Sequence, residues 1–223
     1  MYLGDCMDLM RDKPHKCWNL AIVDPPYGNA IMCKNKYQRH KTKDTSYRNR
    51  NIPTLEYYEE LGRVSNRQII WGFQYQYQNL PPSGSLLVWD KMAEPELHNM
   101  SSCDIAWYSK PHRIERIRLS WCGAVKCEKE PTIHIHQKPV QLYKWQLKKY
   151  AKSGDKILDT HGGSFSCAIA CCDLGFDIDI IEIDPIYYQS GKNRVLSHIQ
   201  TQEEIKKYGY AKTELNKVNP TLF

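Results

Sequence analysis

The feature that most constrains the fold is an ordered pattern in the carboxyl-terminal part of the chain. A short apolar strand is predicted at 156–158, and an acid with a glycine-containing turn follows at 159–164. A helix of small residues at 165–172, a strand at 179–185 and a proline-initiated helix at 185–197 come next. Glycines let the backbone approach a ligand, and small residues let the helix approach the strand. The pattern predicts one half of a doubly wound α/β sheet, mostly parallel and twisted, with helices on both faces.

Apolar runs and apolar periodicity elsewhere in the chain predict the rest of this sheet. Further strands are expected at 17–23, 68–72, 85–91 and 104–108. Further helices are expected at 55–61, capped at Thr54, and through Leu142 to Tyr150. The length of 223 residues predicts a single domain over 1–223.

The end of the 17–23 strand carries the most distinctive short motif, Asp24, Pro25, Pro26 and Tyr27. Prolines lack a backbone donor and end the strand, which places the motif at a strand's carboxyl end, where open α/β sheets bind ligands. The Asp24 carboxylate and the Pro25 carbonyl form an acceptor pair for the two hydrogens of an exocyclic amine. Tyr27 can stack on the flat base that carries the amine. An ordinary strand-to-loop turn has the same sequence, so the motif alone leaves both interpretations open.

Two acids belong to the strand-and-turn pattern of the carboxyl-terminal unit. Glu182 lies about 20 residues beyond the glycines, where an acid can accept from both ribose hydroxyls. The sequence has neither a GxGxxG nor a GxxxxGK[ST] phosphate-binding pattern. Asp159 at the mouth of the turn would repel phosphate and attract a cationic sulfonium, which favours S-adenosylmethionine over NAD. A βαβ unit without a nucleotide, or with another nucleotide, stays open at this point.

Composition indicates a soluble globular protein, with 41% hydrophobic and 25% charged residues. No apolar run approaches the roughly 18 residues of a membrane span, so a cytoplasmic protein without membrane contact is expected. The nine cysteines are an odd number without a CxxC pair, which favours reduced thiols over disulfides. Cys122, Cys127, His134 and His136 do not have the spacing of a common zinc site, and no metal is predicted.

The net charge of +6 is concentrated in two stretches. Residues 34–50 hold seven Lys or Arg and two Tyr with one Asp, and few apolar residues to bury. We therefore expect a basic arm or loop over 30–52 and interpret it as nucleic-acid binding rather than as a solvated loop. Residues 97–133 are expected to hold a short target-recognition insertion, although 110–127 could equally be an edge hairpin. The candidate contacts are Lys34, Lys36, Arg39, Lys41, Lys43, Arg48, Arg50, Arg113, Arg116 and Arg118.

Together these motifs resemble the adenine-specific (N6) DNA methyltransferases that use S-adenosylmethionine, over residues 2–196. Asp24 to Tyr27 matches the catalytic motif of that family, Asp159 to Ser164 the cofactor loop, and Glu182 the ribose-binding acid. Because the catalytic motif precedes the cofactor loop, the order is the circularly permuted, beta-type one. The segments at 70–72 and 88–91 resemble those of small phage and prophage members.

The resemblance implies a Rossmann-like methyltransferase fold and assigns roles to named residues. Asp24, Pro25, Pro26 and Tyr27 would be catalytic on an adenine flipped out of double-stranded DNA. Gly4 to Cys6 would contact the adenine of the cofactor, and His134 with Gln137 to Pro139 would hold its methionine part. The cofactor residues are thus Asp5, Cys6, Asp24, His134, Lys138, Pro139, Asp159, Thr160, His161, Gly162, Gly163, Ser164, Glu182 and Ile183.

The resemblance also implies a homodimer and a restriction-modification or phage setting. Two residues depart from the family pattern: His161 stands where Phe is common, and Ile135 where Pro is common. Three alternatives stay open: methylation of cytosine N4, methylation of RNA, and a non-catalytic nucleic-acid-binding subunit with a degenerate cofactor site.

Overall fold

The computed structural model of the protein describes residues 1–28, 51–92, 101–122, 125–127, 131–134 and 136–208. The described residues form one eight-stranded sheet, a separate two-stranded hairpin and six α-helices. The strands are β1 (Tyr2–Leu3), β2 (Leu20–Val23), β3 (Gln68–Trp71), β4 (Ser85–Asp90), β5 (Cys103–Tyr108), β6 (Glu115–Arg118), β7 (Trp121–Cys122), β8 (Val125–Lys126), β9 (Lys156–Asp159) and β10 (Asp177–Glu182). The helices are α1 (Cys6–Arg11), α2 (Leu55–Val64), α3 (Phe73–Gln76), α4 (Val140–Tyr150), α5 (Ser166–Leu174) and α6 (Pro185–Tyr208).

The large sheet is mostly parallel, in the strand order β1-β10-β9-β2-β3-β5-β4-β6. Among the described strands of this sheet, β5 alone runs against the others, between β3 and β4. β7 pairs with β8 as a separate antiparallel hairpin. The predicted mostly parallel α/β sheet is confirmed.

Alternating burial along the central strands produces two apolar cores, one on each face. In β2, Leu20 and Ile22 belong to the core beneath α4, α5 and α6, whereas Ala21 and Val23 belong to the core beneath α1 and α2. All four residues of β2 and of β3 are buried, as expected for strands covered on both faces. Helices therefore lie on both faces of the sheet, as predicted.

The neighbours β2 and β9 mark the point at which the chain changes direction across the sheet. From β2 the chain continues to β3 on one side, and from β9 it continues through α5 to β10 on the other. Connections that diverge in this way leave a crevice at the carboxyl ends of the two strands. Asp24 follows β2 directly and Asp159 ends β9, so the fold brings two of the predicted site acids to this crevice.

Some boundaries differ from the predictions. β2 begins at Leu20, and Trp18 forms only an isolated bridge to Ser65. Thr54 is the N-cap residue of α2, but its side chain makes no capping hydrogen bond. The predicted helix at 185–197 continues to Tyr208, and residues 110–127 contain both the sheet edge β6 and the β7–β8 hairpin.

Candidate active site

The turn after β2 holds an acid whose two oxygens both have partners. The Tyr27 hydroxyl donates to Oδ1 of Asp24 at 2.5 Å, and the Lys138 ammonium donates to Oδ2. Lys138 also lies 3.3 Å from the Tyr27 hydroxyl. Lys138 and Asp24 are 114 residues apart in sequence, and the fold joins them at the crevice.

The ring of Tyr27 lies between a glycine and a second tyrosine. Gly72, directly after β3, has φ +77°, and a Cβ built there would lie 2.1 Å from Cε1 of Tyr27. Tyr75 stacks on the Tyr27 ring, with centroids 5.1 Å apart and planes 24° apart. Only glycine lets the ring lie this close to the end of β3.

The Asp24–Lys138 pair is largely withdrawn from solvent, with side-chain exposures of 17% and 6%. Burial acts to raise the pKa of Asp24, but the Lys138 charge and hydrogen bond, with the Tyr27 hydroxyl, outweigh it and lower the pKa. Burial and the Asp24 charge raise the pKa of Tyr27 well above its usual value. Asp24 is therefore a carboxylate and Tyr27 a neutral donor at neutral pH.

Asp159, at the end of β9, has a different electrostatic environment. Burial, together with the charges of Asp24 and Glu182, raises its pKa to about 7, against the lowering effect of a hydrogen bond from the His161 amide. That hydrogen bond to Oδ1 of Asp159 is 3.0 Å long. The crevice therefore holds one carboxylate fixed by a cation and one carboxyl group that titrates near neutral pH.

The glycine turn is held by Glu182 at the end of β10. Its Oε2 accepts from the Gly163 amide at 2.7 Å and its Oε1 from the Asp184 amide at 2.9 Å. Glu182 is thereby fixed at the crevice with 3% exposure. Ser164 lies deeper, where its carbonyl accepts from Arg194 at 2.6 Å and its hydroxyl contacts Ser166.

A cavity of about 290 Å³ opens beside this turn. Seven of the predicted site residues contribute to its wall: Asp5, Cys6, Pro26, Thr160, His161, Glu182 and Ile183. Asp5 is also the N-cap of α1, where it accepts from the Met7 amide at 2.8 Å. Burial and the Asp5 charge raise the pKa of Cys6 to about 12, so its thiol stays protonated. Pro26 makes the predicted catalytic turn part of the same wall.

The remaining predicted cofactor residues lie around the crevice but do not line this cavity. His134 packs edge-on against Tyr187, with ring centroids 4.4 Å apart, and lies 3.4 Å from a Cβ built on Gly163. Lys138 points to Asp24, and Pro139 is the N-cap residue of α4. Gly162 donates its amide to the Ile181 carbonyl at 2.7 Å, directly beside β10.

Two tyrosines of the site were missed in the sequence. Tyr57 of α2 lines the cavity, its hydroxyl is 2.7 Å from Oγ1 of Thr160, and its ring meets His161 edge-on at 5.5 Å. Tyr75 is the stacking partner of Tyr27. The apolar face of α2 was visible in the sequence, but nothing there distinguished a tyrosine that faces a cavity from one in the core.

Most predicted nucleic-acid contacts cannot be placed, because Lys34, Lys36, Arg39, Lys41, Lys43, Arg48 and Arg50 lie outside the described residues. Of the other three, Arg113 pairs with Glu115 at 2.5 Å and Arg118 with Asp90 at 2.9 Å. Arg116 is exposed on β6. These arginines stay predicted contacts.

A larger cavity of about 400 Å³ lies at the opposite edge of the sheet, near the start of β3 and the end of β5. Its wall includes Arg67 and Arg113, which are ion-paired with Asp155 and Glu115 respectively. It contains none of the predicted catalytic or cofactor residues, so size alone does not make it the candidate site.

Within the described residues, no group of three or more His, Cys, Asp or Glu side chains is placed to hold a metal ion. In the same part of the chain, no helix is both long and apolar enough to cross a membrane.

The parallel sheet, its one reversed strand and the crevice between β2 and β9 define a Rossmann-like α/β fold of the methyltransferase type. Comparison of the sequence with protein-family models and with curated proteins gives no match.

Solved structures with the same fold are found at low sequence identity. The complex of M1.HpyAVI with SAM has a TM-score of 0.58 at 17% identity, covering 86% of this chain and 97% of that one. TTHA0409 of Thermus thermophilus, a candidate DNA modification methylase, has a TM-score of 0.56 at 16% identity, covering 89% of this chain and 94% of that one. PvuII DNA methyltransferase, which is cytosine-N4-specific, has a TM-score of 0.60 at 11% identity, covering 89% of this chain and 90% of that one. The predicted Rossmann-like methyltransferase fold is thereby confirmed.

Proposed function

We propose that the protein is a DNA methyltransferase that transfers a methyl group from S-adenosylmethionine to the exocyclic N6 amine of an adenine flipped out of a duplex. The observation that carries the proposal is the adjacency of two features at one crevice. A fixed carboxylate on a proline-stiffened turn, Asp24, lies beside a cavity of about 290 Å³ whose wall includes Pro26 of the same turn.

The cavity wall suits the adenosine part of S-adenosylmethionine. Glu182 and Asp5 supply acceptors for hydroxyl or amino groups, and Ile183, which is 58% exposed, supplies an apolar surface for a flat base. The neutral thiol of Cys6 adds no charge there. When bound, S-adenosylmethionine supplies an electrophilic methyl group on a sulfonium. M1.HpyAVI and TTHA0409 have both been solved with this compound, which supports the choice.

Asp24 and Tyr27 would prepare the amine for methylation. Oδ1 of Asp24 and the Pro25 carbonyl would accept its two hydrogens, which draws the nitrogen lone pair away from the ring, and Asp24 is placed to accept the proton that the nitrogen loses. In the observed arrangement the Tyr27 hydroxyl occupies Oδ1, so the incoming amine would replace this hydroxyl as the ring of Tyr27 turns to stack on the base. Catalysis would rest on positioning and electrostatics.

Double-stranded DNA is the proposed substrate because TTHA0409 and PvuII methyltransferase, which share the fold, are named as DNA-modifying proteins, and because the chain is basic, with a net charge of +6. Extrusion of the base costs a few kcal/mol of unpairing and unstacking, to be offset by contacts in the site. The basic residues of 34–50, with Arg113, Arg116 and Arg118, are the proposed phosphate contacts.

The proposal is tested by Asp24→Ala, which should abolish methyl transfer while S-adenosylmethionine binding, measured by calorimetry, largely survives. Asp173→Ala is the control, because Asp173 of α5 is also a partly buried, lysine-paired acid but lies outside the site. Loss of activity only in the Asp24 variant supports the assignment. An active Asp24→Ala protein would contradict it.

One observation favours cytosine N4 as a second candidate target: the fold match to PvuII, a cytosine-N4-specific enzyme. The same acceptor pair serves the exocyclic amine of the smaller base. The presence of Asp24 rather than Ser at the first motif position favours adenine, since Ser is more often associated with cytosine N4 in the family that the sequence resembles. Digestion of methylated DNA to nucleosides distinguishes N6-methyladenine from N4-methylcytosine.

A further inference from the structure

We propose that Lys138 is a positioning residue for Asp24: it holds the carboxylate by Oδ2, so that Oδ1 stays directed at the incoming amine. The inference rests on the proposed function of Asp24 and gives Lys138 a role different from the contact to the cofactor's methionine part that the sequence suggested. It follows from how the two oxygens of Asp24 are shared.

The ammonium of Lys138 is enclosed on several sides. Its Nζ contacts Oδ2 of Asp24, lies 3.3 Å from the Tyr27 hydroxyl, and stands 5.8 Å and 5.7 Å from the ring centroids of Tyr27 and Trp71. A lysine with 6% exposure needs a carboxylate partner, because an unpaired buried ammonium is strongly destabilising. The pair is therefore a fixed feature of the crevice.

The backbone around Lys138 is fixed as well. Its neighbour Gln137 accepts from the Ile133 amide at 3.0 Å through Oε1, and its carbonyl accepts from the Trp121 indole at 2.7 Å. On the other side, Pro139 begins α4. With both flanks held, the ammonium has a defined position from which to orient the carboxylate.

The two oxygens of Asp24 then have separate roles. Oδ1 bonds the Tyr27 hydroxyl, a partner that must leave if the tyrosine ring is to stack on a base. Oδ2 bonds Lys138, which can stay while the base enters. A carboxylate that lost both partners would rotate about its Cβ–Cγ bond, so the lasting contact keeps Oδ1 aimed and limits reorganisation.

The neighbouring acid shows what the lysine changes. Asp159 is buried at the end of the adjacent strand and accepts from a backbone amide. The Lys138 charge acts to lower its pKa too, but more weakly than burial and the charges of Asp24 and Glu182 raise it, so the pKa is about 7. The pKa of Asp24 is lowered instead, although burial alone would raise it. Among the described residues, the charged or titratable groups that act on Asp24 include Lys138 and His136 before α4, Tyr143 in α4, Asp159 in β9 and Tyr27 in its own turn. Of these, Lys138 has the largest lowering effect, so its removal would let Asp24 take up a proton closer to neutral pH.

The test compares Lys138→Met and Lys138→Arg with Lys144→Met, which removes a different lysine–aspartate pair, formed by α4 with Asp173. Methyl transfer to duplex DNA is measured from pH 5 to 9, and S-adenosylmethionine affinity by calorimetry. In Lys138→Met, the acidic limb of the pH profile of kcat/KM should move to higher pH by about one to three units, and the affinity for S-adenosylmethionine should be retained. Lys138→Arg should keep the wild-type limb, because the positive charge remains, and so should Lys144→Met.

The proposal would be overturned if the acidic limb of the pH profile did not shift in Lys138→Met, or if this variant lost only affinity for S-adenosylmethionine. A measurement on the wild-type protein keeps the test independent of activity and of how the variants fold. The ¹³C signal of the Asp24 carboxyl should titrate below the ordinary value of 3.8. Titration above that value would overturn the proposal, whether or not the protein transfers methyl groups to DNA. Absence of methyl transfer to DNA, with titration below that value, would refute only the proposed function.

Discussion

Two adjacent tyrosines of α2 permit a sharp test of the proposed cofactor cavity. Tyr57 and Tyr58 are both buried, with 3% and 7% exposure, and the hydroxyl of each has a buried hydrogen-bond partner. The Tyr58 hydroxyl also makes a hydrogen bond with the Asn79 side chain. Tyr57 contacts Oγ1 of Thr160 in the cavity wall, whereas Tyr58 donates to Oε1 of Gln76, away from the cavity. Tyr57→Phe and Tyr58→Phe therefore make the same chemical change in two different surroundings.

The expected effects follow from the partners that remain. In Tyr57→Phe, Thr160 keeps its contact of 2.9 Å with Nδ1 of His161, so the loss of unfolding free energy should be about 1 kcal/mol. In Tyr58→Phe, the buried Oε1 of Gln76 loses the donor, and about 1–2 kcal/mol is expected. In Tyr57→Phe alone, the wall formed by Thr160 and His161 is no longer tied to α2. If this costs up to about 1 kcal/mol in binding, the Kd for S-adenosylmethionine rises about fivefold.

Calorimetric titration with S-adenosylmethionine and urea unfolding measure the two quantities separately. The expected result is a similar loss of stability in both variants and weaker binding only in Tyr57→Phe. Equal weakening in both would mean that the effect arises from α2 as a whole. Wild-type affinity in Tyr57→Phe would refute the assignment of this cavity to the cofactor.

Two further predictions concern the acid and the glycine of the crevice. The pKa of Asp159 is about 7 in the folded protein, against an ordinary value of 3.8. As the pH rises, the unfolded state therefore loses this proton at a lower pH than the folded state does. Wild-type stability should therefore fall as pH rises from about 4 to 7, by at most about 4 kcal/mol, relative to Asp159→Asn. Urea unfolding of both proteins across that window measures the difference, and identical pH dependence would contradict it. Positive φ, +77° and +82°, should cost Gly72→Ala and Gly154→Ala about 1–2 kcal/mol each, and Gly72→Ala should lose more because its Cβ would also displace the Tyr27 ring. A Cβ meets Tyr27 only at Gly72, so methyl transfer should fall by about 100-fold in that variant alone, and equal activities would refute this role of the ring.

Local signals were sufficient to predict much of the sheet and of its acidic edge. The apolar run before Asp24 and the prolines after it determine where β2 ends, and the glycine turn after Asp159 marks the start of α5 in the same way. Since parallel strands end at one edge of a sheet, the two acids could be expected to meet there. The structure confirms the end of β2 and its parallel pairing with β9, and it ends β9 at Asp159, one residue later than predicted.

Contacts between distant segments could not be predicted in this way. The pairing of Lys138 with Asp24 depends on the path of the chain into α4, and the hydroxyl of Tyr57 contacts Thr160 across 103 residues of sequence. The insertion of β5 between β3 and β4 likewise has no local signature, because its apolar pattern does not distinguish a parallel from an antiparallel strand. Such features depend on tertiary packing, which periodicity and turn chemistry do not record.

The most direct test of the central claim is transfer of a labelled methyl group from S-adenosylmethionine to mixed-sequence duplex DNA, followed by digestion to nucleosides. The account predicts label in N6-methyladenine with the wild-type protein and no label in DNA with Asp24→Ala. Absence of label in DNA with the wild-type protein, while S-adenosylmethionine still binds, would contradict it.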